Sequence, residues 1–304
     1  MVERTPLFNI VCQLLLLLGL IVSVLPFVIV TIAATHNLRD VNTVPMPLWP
    51  GSDFITNLAE AWTRASFGVK LMNSVVFAFG VAIGKVAISA ITAYSIVYFG
   101  YRGRMLIFWL VFITLMLPLE VRIVPTYAVA ANVLSPYQGV LDLTGITWLV
   151  NALTGVQISL NFGLLDSYAG LILPLIATAT GTFLYRQFFL TLPDELVEAA
   201  KMDGAGALRF FWDMILPLSR TNIAALFTIM FVWAWNEYLW PLLVTTDPLK
   251  RVAVVGLLDV VPGNDSVPQW NVAMAGTLIV MLPPLIIVAL TQRLFVRGLV
   301  ATEK

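Results

Sequence analysis

The stretch LFNIVCQLLLLLGLIVSVLPFVIVTIAA, residues 7–34, contains no charged side chain. A helix needs about 20 apolar residues to cross the roughly 30 Å hydrocarbon core of a bilayer. Helix is the expected state because an unpaired backbone is too costly in lipid and the chain lacks the alternating pattern of a barrel. The apolar stretch is too long for a signal peptide, and its leading segment, with Glu3 beside Arg4, has no net charge. We therefore predict a retained first membrane span.

The composition of the whole chain also indicates a membrane protein. Apolar and aromatic residues make up 60% of the 304 positions and charged residues 11%, against roughly 45–50% and about 25% in soluble domains. The 17 basic residues balance 17 acidic ones, so the basic patch typical of nucleic-acid binding is absent. Cys12 and His36 are the only residues of their types, which excludes an internal disulfide and the common metal cages. We expect the lipid bilayer as a partner, and neither nucleic acid nor a bound metal.

Six apolar stretches are long enough to span a bilayer. They are approximately Leu7–Ala34, Val69–Phe99, Met105–Tyr127, Ser167–Leu190, Thr221–Val244 and Val272–Phe295. Six spans place both termini on one side of the membrane. With cytoplasmic termini, the inner segments contain ten Lys and Arg residues and the longer outer segments six. The positive-inside rule therefore predicts an all-α integral membrane protein with six transmembrane helices and both termini in the cytoplasm.

Two connections differ from short turns between spans. Residues 191–220 form the most charged part of the chain, and the topology places them in the cytoplasm. Residues 132–166 form an outer connection with a weak apolar patch at Ile146–Leu153. This patch is too short to span the membrane, so we expect a surface helix or a lid-like loop there.

The segment TLPDELVEAAKMDG, residues 191–204, predicts a short helix that Thr191 caps at its start. Helical spacing places Ala199 and Ala200 on one narrow face of mostly small side chains, beside a second face that carries Glu198. A helix that shows small residues next to carboxylates fits a groove on another protein. A solvated amphipathic loop helix is the alternative interpretation.

This segment resembles the EAA loop of binding-protein-dependent ABC importer permeases. The resemblance rests on the spacing of six residues: Glu198, Ala199, Ala200, Gly204, Leu216 and Pro217. Met214 departs from the family pattern, which has isoleucine there, although Ile215 stands beside it. Gly204 also fits the end of the helix. The resemblance implies that residues 191–220 couple the chain to a separate ATPase, which binds ATP and Mg²⁺, whereas this chain binds no cofactor.

Further stretches are similar to the MalG-like, carbohydrate-type permeases. WNEYLWPL at residues 235–242 is similar to their fifth-span signature, and LDSYAGL at residues 165–171 also matches. LEVRI at residues 119–123 and FVRGLV at residues 295–300 resemble the permease subunits of glycerol-3-phosphate importers. The resemblance covers nearly all of residues 1–304, which we read as one transmembrane permease domain. It breaks at residues 133–162, a predicted insertion.

The resemblance implies a type I ABC importer permease fold in a bacterial inner membrane. The implied partners are a second homologous permease subunit, an ATPase homodimer and an external solute-binding protein. The implied solute is glycerol 3-phosphate or a glycerophosphodiester, with a neutral oligosaccharide or a polyol as the alternative. An ion-coupled secondary transporter would need intramembrane carboxylates and inverted repeats, and only Glu120 and Glu237 are available. An intramembrane hydrolase would need a buried nucleophile and base, but His36 lies outside the predicted spans.

Six residues are candidates for the translocation pathway: Lys85, Glu120, Arg122, Trp235, Asn236 and Glu237. Lys85 in mid-span costs roughly 2.5–3.5 kcal/mol on insertion scales, so it needs a partner or a wet cavity, and Glu120 is one candidate partner. Arg122 is either an interfacial anchor or a group that attracts an anionic solute. The sequence GVAIGK at residues 80–85 resembles a P-loop only superficially, because it lacks the strand–loop–helix context. Its two glycines, Gly80 and Gly84, instead predict close helix packing.

Overall fold

The computed structural model describes residues 6–261 and 267–300. All regular structure in these two ranges is helical. The α-helices are α1 (Pro6–Thr35), α2 (Leu38–Val41), α3 (Phe54–Arg64), α4 (Phe67–Tyr98), α5 (Arg104–Met116), α6 (Leu119–Ala131), α7 (Ser135–Leu143), α8 (Ile146–Thr154), α9 (Tyr168–Ile172), α10 (Ala179–Phe189), α11 (Glu195–Met202), α12 (Ala207–Phe210), α13 (Leu216–Leu218), α14 (Arg220–Trp235), α15 (Leu239–Val244), α16 (Ala253–Gly256) and α17 (Trp270–Val300). A π-helical turn, Phe211–Ile215, joins α12 to α13.

Three helices in the described ranges are long and apolar enough to cross a membrane: Phe8–Thr35, Phe67–Tyr98 and Trp270–Gln292. They correspond to the predicted first, second and sixth spans. Two bent pairs also pass this test together, Tyr168–Leu175 with Ala179–Phe189 at 49° and Ala207–Leu218 with Arg220–Trp235 at 75°. Length and composition thus support three to five spans, and the count of six stays a prediction.

The predicted third span is not one continuous helix. It consists of α5 and α6, which are separated at Leu117 and Pro118, both in extended conformation with ψ of 128° and 149°. Proline lacks a backbone N–H and disfavours the helical conformation of the residue before it. The predicted fourth and fifth spans are also interrupted, after Leu175 and after Trp235. Such breaks are tolerated in a membrane where the freed backbone groups face protein or a water-filled cavity.

The chain divides into two compact units, the first formed by residues 1–69 and 256–283. A buried hydrogen-bond network holds the described part of this unit together. The Asn57 side-chain amide donates to two backbone carbonyls, one of them that of His36, and its oxygen accepts from Asn271 at 2.7 Å. The His36 ring is buried, and its Nε2 lies 3.1 Å from a backbone carbonyl. This environment fits a structural role for His36.

The second unit comprises residues 70–255 and 284–304. Within it, two glycines on α4 allow close approach of a neighbouring segment. A Cβ built on Gly80 would lie 2.6 Å from Ile172 Cδ1, and one built on Gly84 would lie 2.9 Å from Ile176 Cβ. The close packing predicted for this glycine pair is therefore confirmed. Residues 80–85, whose sequence superficially resembles a P-loop, lie inside helix α4.

Candidate functional site

The predicted coupling helix is α11, although its start differs from the prediction. The Thr191 hydroxyl and backbone N–H both donate to the Phe188 carbonyl, at 2.7 and 2.9 Å. Thr191 therefore closes the preceding helix α10 and does not cap α11. Asp194 occupies the N-cap position of α11 without a side-chain capping bond.

The end of α11 is formed by Gly204, as predicted. Its φ is +69°, a left-handed conformation that residues with a Cβ rarely adopt. The Gly204 N–H donates to the Lys201 carbonyl at 3.1 Å, and the Ala205 N–H donates to the Ala200 carbonyl at 2.9 Å. These two bonds define a Schellman motif. Gly204 thus sets the direction in which the chain leaves the helix.

The two alanines of the EAA motif differ in exposure on α11. Ala200 is buried, and Leu196 and Val197 pack partly buried against the same core. Ala199 is exposed together with Glu198. Burial on α11 follows residues 196, 197 and 200, so only the Ala199 side of the predicted small-residue face is exposed. Glu198 and Ala199 are left available for a partner, whereas Ala200 fixes the helix to its own chain.

The rest of the loop adds an exposed apolar surface that the sequence analysis missed. Met202, Leu208 and Trp212 are 83%, 76% and 64% exposed. Of the two remaining motif residues, Leu216 is half-buried and Pro217 is exposed. Large exposed apolar side chains that belong to one loop commonly mark a protein contact. The only sequence signal for them is their hydrophobicity within a charged segment.

An aromatic cluster ties this loop to α4. The Tyr94 hydroxyl donates to the Ala207 carbonyl at 2.8 Å, and its ring lies 4.8 Å from that of Phe211. The Tyr98 ring lies 5.5 Å from that of Phe210, edge to face, and 6.1 Å from that of Phe189. Phe189 precedes the loop and the other two phenylalanines lie within it. Both ends of α11 are thus connected to the same end of α4, a connection that the spacing of the two tyrosines did not reveal.

Lys85 lies in the middle of α4 and is 6% exposed. Its Nζ lies 3.3 Å from the centroid of the Trp233 ring. A desolvated contact between an ammonium and an indole ring is favourable by about 2 kcal/mol. Arg122 and Glu237 lie within electrostatic range of Lys85. In the part of the chain that the structure describes, Lys85 forms no ion pair with Glu120, which is exposed; the structure gives it an aromatic partner instead.

Arg122 and Glu237 complete a charge cluster around Lys85. The Arg122 Nε is buried and has no hydrogen-bond acceptor among the described residues. The Glu237 carboxylate is half-buried and accepts from the Trp240 backbone N–H at 3.3 Å, at the start of α15. The Arg122 Nε–H is therefore available to donate a hydrogen bond to an oxygen ligand.

The other two pathway candidates have roles within the chain. Trp235 is 1% exposed and stacks on Phe231 at 5.7 Å, so it belongs to the core. The Asn236 amide donates back to the Val232 carbonyl at 2.8 Å. Trp240 is also fully buried, so both tryptophans pack inside the protein.

Asp166 connects the start of α9 to the segment that follows α15. It accepts the backbone N–H groups of Thr246 and Asp247 at 2.7 and 2.9 Å, and also the Thr246 hydroxyl. The hydroxyl bond is the main cause that holds the pKa of Asp166 below its ordinary value, with the Asp247 N–H next. In the sequence, Asp166 is recognisable only as part of the family resemblance, which implies no role for it.

Within the described residues, no group of three or more His, Cys, Asp or Glu side chains could hold a metal ion. The site is instead a loop helix open to a partner and, within the apolar helices, a cluster of charges. This combination defines a membrane transport subunit. The chain belongs to the family described as the binding-protein-dependent transport system inner membrane component, whose model matches residues 85–300.

Full-length relatives have the same assignment. The chain is 44% identical to the sn-glycerol-3-phosphate transport system permease protein UgpE of Yersinia enterocolitica, and 43% identical to that of Escherichia coli. Each alignment covers 100% of both chains. These relatives are transport permeases and not enzymes, which confirms the predicted class. Family membership implies, in general terms, an ATPase, a partner permease and a binding protein.

The fold also has a solved counterpart. A chain in the crystal structure of a bacterial ABC transporter involved in the import of the acidic polysaccharide alginate matches with a TM-score of 0.69 and 19% identity. The match covers 96% of this chain and 98% of that one. The predicted fold, that of an all-α ABC importer permease, is therefore confirmed.

Proposed function

We propose that this chain forms half of the translocation pathway for glycerol 3-phosphate, or for glycerophosphodiesters, in an ATP-driven importer. Its partners in this proposal are a second homologous permease subunit, an ATPase homodimer that binds ATP and Mg²⁺, and an external solute-binding protein. The termini and residues 191–220 face the cytoplasm. The observation that carries the choice of solute is the 44% identity, over all of both chains, to a permease of an sn-glycerol-3-phosphate transport system.

The coupling step is assigned to α11. Glu198 and Ala199 are exposed and available for contact with the ATPase, and Gly204 holds the angle at which the helix ends. Movement of α11 reaches α4 through Tyr94 and Tyr98, because their rings pack against aromatic residues at both ends of the loop. A chain of packed side chains on a rigid helix is a physical route by which a motion at one site can bias another.

The same helix connects the loop to the charge cluster. Lys85 and Tyr94 are nine residues apart on α4, about 13 Å at 1.5 Å per residue. A phosphomonoester carries about 1.5 to 2 negative charges at pH 7 and requires compensating positive potential in a low-dielectric span. Arg122 supplies a positive charge within electrostatic range of Lys85. Arg122 is the better candidate for direct contact, since its Nε lacks an acceptor whereas Trp233 covers the Lys85 ammonium.

The test is uptake of labelled glycerol 3-phosphate by the assembled importer reconstituted in vesicles. Removal of a hydrogen bond to a charged group costs about 1.5–3 kcal/mol, so Arg122→Gln should lower uptake by about tenfold or more. Arg122→Lys should recover part of it, because the lysine keeps the charge but lacks the planar fork. Arg102→Gln, an exposed change outside the cluster, should leave uptake unaltered.

Complex assembly and basal ATP hydrolysis should be normal in all three variants. Normal phosphate-ester uptake by Arg122→Gln would return Arg122 to the role of an interfacial anchor. If the wild-type importer took up a labelled neutral sugar or polyol and did not take up glycerol 3-phosphate, the neutral-solute alternative would replace the proposal.

A further inference from the structure

Residues 133–162 contain a helical hairpin, α7 and α8, whose apolar side chains face outward. Neither helix has a buried residue. Large apolar side chains on both helices are exposed, and the four most exposed are Leu143 at 90%, Leu153 at 76%, Trp148 at 72% and Tyr137 at 65%. The hairpin is therefore ordered without an apolar core of its own.

Each helix of the hairpin is amphipathic. At 100° per residue, the apolar arc of α8 contains Trp148, Leu149 and Leu153, and the opposite arc contains Thr147 and Asn151. In α7, the arc that carries Tyr137, Val140 and Leu143 likewise lies opposite Gln138 and Asp142. The two apolar arcs are thus continuous enough along each helix to bind a surface, and neither is used within the described part of the hairpin.

The polar arcs hold the hairpin together. Asp142 accepts from the Gln138 amide at 3.0 Å and from the Thr147 hydroxyl at 2.7 Å, which joins the two helices. The Gln138 amide also donates to the Ile158 carbonyl, and its oxygen accepts the Leu160 N–H at 2.9 Å. The polar side chains thus bond within and between the two helices, while the large apolar side chains are left exposed, although apolar side chains of this size are usually buried in a water-soluble protein.

Asn132 fixes the base of the hairpin. Its amide donates to the Leu160 carbonyl and to Asn161 Oδ1, both at 2.9 Å. Its oxygen accepts the Leu134 and Phe162 N–H groups at 3.0 and 3.1 Å. The hairpin thus leaves the end of α6 as a defined structure.

The charge of the hairpin indicates what covers it. Between residues 123 and 165 the only charged residue is Asp142, and its carboxylate accepts hydrogen bonds from Gln138 and Thr147 of the same hairpin. An uncharged apolar face with one tryptophan and one tyrosine matches the boundary between lipid headgroups and acyl chains, where amphipathic aromatic rings are enriched. A protein that docks and leaves in every transport cycle would expose this face to water each time, whereas the bilayer is always beside it.

We propose that α7 and α8 lie in the surface of the bilayer and bury the Tyr137–Leu143 and Ile146–Leu153 apolar faces at the headgroup boundary. The partner is the lipid surface itself. Because the hairpin contains no Lys or Arg, its binding does not depend on anionic lipid. The hairpin thereby braces the outer connection between the third and fourth predicted spans.

The test uses single cysteines in a Cys12→Ser background of the assembled importer, reconstituted in phosphatidylcholine vesicles. Spin labels at Leu149→Cys and, independently, at Leu143→Cys report the apolar faces. Asn151→Cys, on the polar arc of α8, is the matched control. Power saturation then compares collisions of each label with oxygen, which partitions into lipid, and with a water-soluble nickel chelate.

Labels at Leu149 and Leu143 should collide several-fold more with oxygen than with the nickel chelate, and the Asn151 label should show the reverse. Addition of phosphatidylglycerol to the vesicles should leave these ratios unchanged. Equal access of nickel to all three labels would overturn the proposal. So would exclusion of both relaxants from the Leu149 and Leu143 labels, or their shielding only when the binding protein is present, because either result places a protein on this face.

Discussion

The close packing of α4 at Gly84 gives a prediction whose size follows from the structure. A Cβ on residue 84 would lie 2.9 Å from Ile176 Cβ and closer still to its Cγ2, whereas carbon atoms in contact ordinarily lie about 3.5–4.0 Å apart. The two segments must separate by about 1 Å, or Ile176 must leave its rotamer. Overpacking of this kind costs about 1–3 kcal/mol.

Gly84→Ala also has a favourable contribution, since alanine is better than glycine in a helix by about 1 kcal/mol. Gly19→Ala in α1 isolates this contribution, because a Cβ there would meet nothing within 4 Å in this chain. The free energy of unfolding of Gly84→Ala should therefore lie about 1–3 kcal/mol below that of Gly19→Ala. Combining Gly84→Ala with Ile176→Ala should recover part of the loss, because Cγ2 is removed but Cβ remains.

The measurement is unfolding of the purified chain in detergent micelles, followed by the loss of helical circular dichroism. Glycerol 3-phosphate uptake of the same variants, measured in the assembled importer, reports whether the separation of α4 also disturbs transport. If Gly84→Ala and Gly19→Ala unfolded within about 0.5 kcal/mol of each other, and Ile176→Ala had no compensating effect, the packing argument would be refuted.

Three further predictions concern the coupling loop, the Asp166 site and the topology. Gly204→Ala forces a Cβ into a left-handed conformation at a cost of about 1–2 kcal/mol and should lower solute-stimulated ATP hydrolysis, whereas Gly206→Ala, at φ −71°, should not. Glu198→Lys should abolish the coupling of ATP hydrolysis to solute uptake while the chain still inserts normally into the membrane, and Asp213→Lys on the same loop is the charge-matched control. If neither Gly204→Ala nor Glu198→Lys had an effect, the coupling assignment would be contradicted. Because the pKa of Asp166 is lowered on folding, the stability that its carboxylate contributes is present above its ordinary pKa and is lost as the pH falls through the lowered value. Asp166→Asn should therefore flatten the acid dependence of the free energy of unfolding, measured between pH 2 and pH 6. An unchanged pH profile would contradict this prediction. Cysteines at Met202 and Asn151, both exposed, should react with an impermeant reagent from opposite sides of the membrane in a Cys12→Ser background, and reaction from one side would exclude the predicted topology.

Several features were predictable because they depend on local chemistry. Residues 7–34 contain enough uncharged apolar residues that a membrane-spanning helix is their lowest-energy state, and α1 covers them. Gly204 ends α11 because a left-handed residue at that position favours glycine. The pair Gly80 and Gly84 leaves a groove on any helix, and a neighbouring segment occupies it.

Other features were not predictable, because they depend on contacts between residues far apart in the chain. Pro118 within an apolar run is compatible with a kink or with a complete break, and the surrounding packing decided for the break. Lys85 needed a partner, but its choice of Trp233, 148 positions later, depends on how α4 meets α14. The split between Ala199 and Ala200 depends in the same way on which side of α11 the core approaches.

The sequence by itself determined that this chain is a helical membrane protein, where most of its helices lie and which loop resembles the EAA loop. Those properties follow from hydrophobic length, backbone preference and spacing, which act over a few residues at a time. Only the tertiary structure decided which spans are broken, which charges meet around Lys85 and which way the hairpin of α7 and α8 faces. Packing and hydrogen-bond satisfaction are settled among many segments at once, and no single stretch of sequence contains that information.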